Sequence, residues 1–266
     1  MRPENGGVST PRSFWRGTES GAELAISGSV VIKRHLAHTD LSDLTTRLAL
    51  AASHPAFVPP LRPVPLTDHD GRPVTLWPRV PVLAPTDTAL PWTEAGRLLA
   101  RLHSSPVPAG LPRHGWLERL ARVRDRAPAD LTPLAHRLHA EVAGRPEPSH
   151  LVHGDWHLGQ LGEWTDGWRL IDIDDVGLGD PAWDLARPAG FWAVGLLPDD
   201  DWHTLLDAYR TAGGPAVPGH GDPWPTLDLP ARCAVLVAAV RALRSSDVHS
   251  DDTARALVAA CRAMAQ

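Results

Sequence analysis

Cysteine is scarce in this 266-residue chain, which contains only Cys233 and Cys261, far apart in the sequence. So few cysteines exclude a disulfide-stapled fold and a cysteine-based metal site. The first residues contain no apolar segment of the secretory type, and no uninterrupted apolar run reaches the roughly 18 residues that a membrane span needs. We therefore expect a cytoplasmic protein in a reduced setting, with no membrane partner.

Strong charge of either sign is also missing. The formal net charge is −5 and the isoelectric point is near 6.3, which argues against nucleic acid as the main partner. The content of 43% hydrophobic and 21% charged residues excludes wholesale disorder. The length suits one large domain or two small domains that share a cleft.

Lysine is the rarest of the charged residues. Of the 26 Lys and Arg residues, Lys33 is the single lysine. Lysine is a compact point charge that fits against phosphate, whereas arginine is a broad planar fork. In a chain that otherwise uses arginine, Lys33 is a candidate for a place where arginine will not serve, and a surface lysine left by chance is the alternative.

The apolar spacing predicts strands first and helices later in the chain. Residues 22–35 favour a hairpin with a turn at Ser27-Gly28, and the small-residue loop at 16–21 precedes it. Asp40 is placed to cap a helix over 40–53. Further predicted elements are a hairpin pairing 64–66 with 74–77, a proline-rich linker over 78–91, and helices at 92–104, 114–126, 131–143, 201–212, 230–245 and 251–265.

The densest group of polar residues follows the third of these later helices. His153 and Asp155 come directly after an apolar pair, and Asp172 follows a second pair after a predicted hairpin loop at 165–167. That hairpin would hold Asp155 and Asp172 side by side, and two close carboxylates need a cation or a proton between them. With an amide oxygen at Gln160, a divalent ion such as Mg²⁺ is the natural occupant.

At these residues the sequence resembles the aminoglycoside phosphotransferase family of the protein-kinase-like fold. The matching motifs are His-Gly-Asp at 153–155 followed by Gln160, and Ile171-Asp172 followed by the stretch 179–186, GDPAWDLA. The helix over 95–103 and Lys33 on a strand fit the same order. The resemblance implies an α+β, bilobal fold, with a small antiparallel-sheet N-lobe at 1–80 and a larger, mostly helical C-lobe at 81–266.

The resemblance also implies a role for each matching residue. Asp155 would accept or orient the proton of a small-molecule hydroxyl that attacks the γ-phosphate of ATP. Asp172 and Gln160 would hold Mg²⁺, and Lys33 would pair with the α- and β-phosphates. The segment from Trp77 to Val80 would be the hinge that meets the adenine.

Three features depart from the family pattern. Gln160 stands where the family has asparagine, which places the amide one methylene further out. The helix over 40–53 lacks a glutamate, so Asp40 or Asp43 would have to pair with Lys33. The glycine loop at 16–21 is degenerate.

Several nearby polar residues have structural explanations. Asp180 and Asp184 are expected to cap a helix and brace loops, and His153 to brace the catalytic loop. The acidic run 199–201 precedes a helix, where it offsets the helix dipole. His157 stays unassigned. The candidates for sugar stacking are Trp92, Trp156 and Trp192.

Two other function classes stay open. A metal-dependent hydrolase would use His153, Asp155 and His157 as ligands. A non-catalytic kinase relative would bind nucleotide without turnover. No Walker-type phosphate-binding motif occurs, which excludes a P-loop kinase.

The acceptor could be an aminoglycoside-like antibiotic, an amino sugar or a neutral sugar. The argument for a cationic acceptor is the set of acidic residues in the C-terminal half (Asp222, Asp228, Asp247, Asp251 and Asp252). The sequence does not fix the oligomeric state.

Overall fold

The computed structural model of the chain describes residues 15–17, 21–84, 86–146, 150–244 and 252–265. It divides into two compact units. The first unit runs to Val82 and also includes Leu161–Asp174, and the second comprises Leu83–Gln160 and the chain from Asp175 onward. Of the earlier expectations, the loop residues 18–20, Asp247 and Asp251 lie outside the described residues.

The first unit is built on a five-stranded antiparallel sheet with strand order β1-β2-β3-β5-β4. One helix and a separate two-stranded hairpin complete it. Its elements are β1 (Arg16–Gly17), β2 (Glu23–Ser27), β3 (Val30–Arg34), α1 (Leu41–Ser53), β4 (Leu66–Thr67), β5 (Pro73–Pro78), β7 (Leu161–Trp164) and β8 (Gly167–Leu170).

The β2–β3 hairpin forms where the sequence pattern predicts it, with the turn shifted by one residue. Ser27 pairs with Val30, so the two turn residues are Gly28 and Ser29. Gly28 adopts φ +58°, a conformation that glycine tolerates best. The hairpin therefore places Lys33 on β3, opposite Thr75 of the neighbouring strand β5.

Helix α1 begins as predicted. The carboxylate of Asp40 accepts hydrogen bonds from the backbone N–H groups of Ser42 and Asp43, which have no partner within the helix. Leu44 and Leu48, on successive turns, are buried.

The β7–β8 hairpin packs with the first unit although it lies far along the chain. Its turn at Thr165–Asp166 agrees with the predicted hairpin loop. Leu170 bridges to Phe57, and Gly162 bridges to Val82. The predicted domains, 1–80 and 81–266, differ from the compact units mainly in this segment, because sequence order alone assigns it to the second domain.

The second unit is mostly helical. Its elements are α2 (Trp92–His103), α3 (Trp116–Arg124), α4 (Thr132–Ala143), β6 (His150–Val152), β9 (Gly177–Gly179), α5 (Ala182–Ala193), α6 (Asp199–Thr211), α7 (Trp224–Ala242) and α8 (Asp252–Ala265). Its core joins α3, α4, α5, α7 and α8 through buried apolar side chains. Among the described helices, none has both the length and the apolar content to cross a membrane.

Two helices differ from the predicted pattern because they contain proline. Helix α5 was not predicted and includes Pro188, and α7 begins at Trp224, six residues before the predicted start at Pro230. Proline removes one helical hydrogen bond and disfavours a helix interior. Both prolines are buried, so packing of α5 against α7 outweighs the local preference.

Candidate active site

Lys33 is buried on β3 and is paired with two carboxylates of the first unit. Its Nζ lies 2.7 Å from Oδ1 of Asp172 and 2.8 Å from Oδ2 of Asp174. The expectation that Asp40 or Asp43 pairs with Lys33 is therefore wrong. Asp40 is engaged in capping α1, and the segment that follows β8 supplies the counter-ions instead.

The charge of Lys33 is maintained by these carboxylates. Burial alone would lower the pKa of the ammonium group, but the charges and hydrogen bonds of Asp172 and Asp174 outweigh it and hold the pKa above its ordinary value. The residue is 8% exposed, which is rare for lysine unless it is paired. A chance surface lysine is thus excluded.

Asp172 has an unusual backbone conformation. Its φ is +62°, and among the described residues it is the one non-glycine residue with positive φ. Such backbone strain is often found at functional positions. Its Oδ1 also accepts the backbone N–H of Asp174, which keeps the two carboxylates beside Lys33.

A chain of buried polar groups leads from Asp174 to the predicted hinge. Nδ1 of His35 lies 3.6 Å from Oδ1 of Asp174, and Nε2 of His35 lies 2.9 Å from Oγ1 of Thr75. The same hydroxyl accepts a hydrogen bond from Nε1 of Trp77. Burial lowers the pKa of His35 and favours its neutral form. Trp77 and Lys33 are thus connected through Asp174, His35 and Thr75.

Val80 lies at the end of the same segment and packs closely on Gly162. A Cβ added to Gly162 would come within 2.5 Å of Cγ2 of Val80. Glu163 donates its backbone N–H to the carbonyl of Pro81 nearby. The segment after β5 is therefore fixed by the β7–β8 hairpin.

In the second unit, Asp184 holds the loop that follows β6. This fully buried carboxylate accepts the backbone N–H groups of His153 and Gly154 at 2.6 and 2.8 Å and is 2.9 Å from Nε2 of His103. Burial would raise the pKa of Asp184, but these hydrogen bonds and the charge of His103 lower it. The predicted bracing role of Asp184 is confirmed.

The same loop is fixed from its other side by backbone contact. Gly154 has φ +81°, and a Cβ there would lie 2.2 Å from the carbonyl oxygen of Asp175. Nδ1 of His153 accepts the backbone N–H of Asp155 at 3.4 Å. His153 therefore braces the loop, as its sequence position suggests.

Two arginines bind Asp155, and the sequence pattern pointed to neither of them. Oδ1 of Asp155 accepts hydrogen bonds from Nη1 of Arg119, at 2.7 Å, and from Nη2 of Arg187, at 3.2 Å. Arg119 lies on α3 and is buried, and its Nη2 also binds Oδ2 of Asp175 at 2.6 Å. Arginine is abundant in this chain, so composition gave no signal, but a buried arginine on an apolar helix face could have been noticed.

Asp155 and Asp172 are not carried by one hairpin, so that prediction is wrong. The strand before Asp155, β6, pairs with β9, while the strand before Asp172, β8, pairs with β7. Lys33 and Asp172 come together in the first unit, and Asp155 and Gln160 belong to the second. Gln160 ends a short 3₁₀ helix, Leu158–Gln160, and is partly exposed.

The geometry does not support the metal-dependent hydrolase alternative. Nδ1 of His157 accepts the backbone N–H of Gly159, and His153 braces the loop through its own Nδ1. In the described part of the chain, one group of at least three His, Cys, Asp or Glu residues has converging ligand atoms, at 68–70 in the β4–β5 turn. His153, Asp155 and His157 do not form such a group.

Comparison with known families supports the resemblance seen in the sequence. The sequence model of the phosphotransferase enzyme family, abbreviated APH, matches residues 2–224. This range includes Lys33, both polar loops and the helices through α6. It covers most of the chain.

Solved structures of similar fold include kinases of small molecules. A choline/ethanolamine kinase family protein from Mesorhizobium loti is 19% identical, with a TM-score of 0.59 over 98% of this chain and 89% of that one. Amicoumacin kinase hAmiN, in complex with AMP-PNP, Ca²⁺ and Ami, is 15% identical, with a TM-score of 0.61 over 94% and 84%. Spectinomycin phosphotransferase APH(9)-Ia, in complex with ADP and spectinomycin, is 15% identical, with a TM-score of 0.52 over 98% and 91%. These likenesses confirm the predicted α+β, kinase-like fold.

Proposed function

This chain belongs to the phosphotransferase enzyme family, and we propose that it transfers the γ-phosphate of ATP, with Mg²⁺, to a hydroxyl of a small molecule. The observation that carries the proposal is the burial of the only lysine on β3, against the acidic residues of the segment after β8. Phosphoryl transfer requires positioning and charge neutralisation more than covalent chemistry. A buried cation held in place by carboxylates contributes to both of these needs.

Lys33 is the proposed contact to the α- and β-phosphates. Its ammonium group has two carboxylate partners, so one can be replaced by phosphate oxygens while the other still anchors the side chain. We assign the anchoring role to Asp174, because its Oδ2 binds Lys33 while Oδ1 lies 3.6 Å from His35. This assignment gives Asp172 the role of metal ligand. Trp77 and Val80 are the proposed contacts of the adenine.

The donor set at the proposed metal ligands suits Mg²⁺. Asp172 offers a carboxylate and Gln160 an amide oxygen, both hard ligands of the kind that Mg²⁺ prefers. Oδ1 of Asp174 is buried and has no hydrogen-bond partner among the described residues, which fits a polar site that a ligand completes. When bound, Mg²⁺ would neutralise charge on the phosphates. Gln160 would have to reach with one more methylene than asparagine does.

Asp155 is the proposed group that meets the substrate hydroxyl. It follows His-Gly on a loop whose backbone is held by Asp184, so its position is defined before substrate binds. A carboxylate at this place orients the hydroxyl and accepts its proton as the bond to phosphorus forms. No other step is required of it.

The acceptor is proposed as an aminoglycoside-like antibiotic, an amino sugar or a neutral sugar. Proteins of similar fold are described with spectinomycin and with amicoumacin, which supports a small-molecule acceptor without choosing one. We place the reaction in the cytoplasm, where ATP is available and where the free thiols of Cys233 and Cys261 stay reduced.

The test is ADP release from Mg-ATP across a panel of aminoglycosides, amino sugars, neutral sugars and amino alcohols, with Asp155→Asn beside the wild type. We expect at least one acceptor to stimulate ADP release at least about tenfold, and Asp155→Asn to slow acceptor phosphorylation roughly a hundredfold, to a residual rate that can still be measured, while nucleotide still binds. Mg²⁺-dependent ATP binding without stimulation by any acceptor would favour a non-catalytic nucleotide-binding protein. No ATP binding at all would overturn the proposal.

A further inference from the structure

We infer that Arg119 and Arg187 are positioning residues that fix the orientation of the Asp155 carboxylate and reserve one of its oxygens for the substrate hydroxyl. The inference rests on the proposed function, because it concerns the group that would receive the proton. All four side chains involved, those of Arg119, Asp155, Asp175 and Arg187, belong to the second unit. None of the matching family motifs points to either arginine.

Both arginines bind the same oxygen of Asp155. Nη1 of Arg119 and Nη2 of Arg187 lie 2.7 and 3.2 Å from Oδ1. Oδ2 of Asp155 has no hydrogen bond or ion pair with the described residues, and the side chain is 23% exposed, so a ligand can reach it. A carboxylate with one oxygen held by two guanidinium groups cannot rotate freely. Oδ2 is therefore the oxygen that can accept a hydrogen bond from the substrate hydroxyl.

Arg119 is itself immobilised. Its guanidinium group lies 4.8 Å from the centre of the Trp116 ring, and Trp116 stacks on Trp183 at 4.7 Å. Its second terminal nitrogen binds Asp175 at 2.6 Å. An arginine that stacks on an aromatic face and bridges two carboxylates is pre-organised, and it loses little conformational freedom when it orients Asp155.

Arg187 is placed by the helix that also holds the loop backbone. It lies three residues after Asp184 on α5, and residues at this spacing share one helix face. Asp184 binds the backbone of His153 and Gly154, whereas Arg187 reaches the side chain of Asp155. One turn of α5 thus sets both the backbone and the carboxylate of the proposed catalytic residue.

The cluster is balanced in charge, with two guanidinium groups and two carboxylates. It therefore does not draw an extra counter-ion to Asp155, and Oδ2 stays available. In the transfer step, the hydroxyl oxygen forms its bond to the γ-phosphorus while its proton passes to Oδ2 of Asp155. The bond from the γ-phosphorus to the bridging oxygen breaks, and ADP leaves with that electron pair.

The test is a double-mutant cycle between Arg119→Met and Asp155→Asn, measured with the best acceptor of the panel. We expect Arg119→Met to lower kcat by about 10- to 100-fold, which is the loss of rate typical of a misplaced reacting group. The KM for ATP should change less than about twofold. In the Asp155→Asn background, Arg119→Met should have no further effect on kcat, because its only route to the reaction is then gone. Arg187→Met should give a smaller loss, since this arginine is more exposed and its bond is longer.

Matched variants separate positioning from folding. Arg122→Met removes an exposed arginine from the same helix and should leave kcat unchanged. Arg119→Met combined with Asp175→Asn also removes the negative charge that binds Arg119 at Asp175, and it should recover part of the stability lost in Arg119→Met but not kcat. Arg119→Lys, which keeps one charged donor, should recover part of kcat.

A multiplicative loss of kcat when Arg119→Met is added to Asp155→Asn would overturn the inference, because it would mean that Arg119 acts independently of Asp155. Unchanged kcat in Arg119→Met would overturn it as well. Absence of turnover in the wild type with every acceptor would instead count against the proposed function, and the two failures are thereby distinguished.

Discussion

At the scale of single residues, the charge arrangement around Lys33 is the least conventional feature of the protein. The rarity of lysine in this chain and the family resemblance both single out Lys33, and its burial on β3 agrees with a special role. Its partners could not be read from the sequence, because they follow β8, more than a hundred residues away. Helix α1, where the family has a glutamate, contributes no counter-ion. Asp174 therefore has the anchoring role in our account.

Replacing Asp174 should weaken nucleotide use. In Asp174→Asn, Lys33 keeps Asp172 as its only carboxylate partner, so phosphate binding and metal binding compete for the same groups. We expect the KM for ATP to rise about tenfold, an effect of roughly 1.4 kcal/mol, with a smaller change in kcat. Asp43→Asn, on α1, is the matched control and should leave the KM unchanged. Equal effects of the two variants would contradict the assignment.

At the scale of elements, local pattern located most helices and strands, and packing decided the rest. The apolar spacing over 92–104 predicts α2 to within one residue of its observed end. The spacing could not reveal α5, because Pro188 interrupts its pattern and only contact with α7 compensates. Strand pairing was equally hidden: β6 pairs with β9, and nothing local to either strand specifies this partner.

Helices α2 and α6 approach so closely at Gly96 that a larger residue does not fit there. A Cβ at this position of α2 would lie 2.5 Å from the carbonyl oxygen of Leu205 and 2.8 Å from the backbone nitrogen of Tyr209, both on α6. Gly96→Ala should therefore destabilise the protein by about 1–3 kcal/mol through overpacking, although alanine is favoured over glycine in helices by about 1 kcal/mol.

Chemical denaturation measures this effect directly. Gly144→Ala is the control, because the nearest atom to an added Cβ would be the carbonyl oxygen of Ala140 at 3.7 Å, an ordinary contact distance, and we expect it to change stability by less than about 0.5 kcal/mol. A Gly96→Ala variant as stable as the wild type would show that α2 and α6 can separate without cost.

At the scale of the whole molecule, stability should depend on pH through buried histidines. Burial is the main cause that lowers the pKa of His114 from its usual 6.5 to about 4, outweighing the opposing charge of Asp184. In the described part of the chain, its Nδ1 has no hydrogen-bond partner. Between these two values the unfolded chain binds a proton that the folded chain does not, so stability rises with pH in this window and is lost as pH falls through it.

We expect the free energy of unfolding to fall between pH 6.5 and pH 4 with a slope of up to about 1.4 kcal/mol per pH unit from His114. His35, whose pKa is also lowered by burial, adds in the same direction. Urea denaturation across this range tests the claim. His114→Gln should flatten the slope, and His69→Gln, which changes an exposed side chain, should not. A slope unaffected by His114→Gln would contradict the burial argument.

The central claim is that this family member transfers a phosphoryl group to a small-molecule hydroxyl and that Asp155 meets that hydroxyl. The most direct measurement is mass spectrometry of the acceptor after incubation with the enzyme and Mg-ATP carrying ¹⁸O in the γ-phosphoryl group. We predict an acceptor heavier by one labelled phosphoryl group, formed in equal amount with ADP, and formed roughly a hundredfold more slowly by Asp155→Asn. Release of labelled inorganic phosphate with an unmodified acceptor, or the same yield of product from Asp155→Asn, would contradict the account.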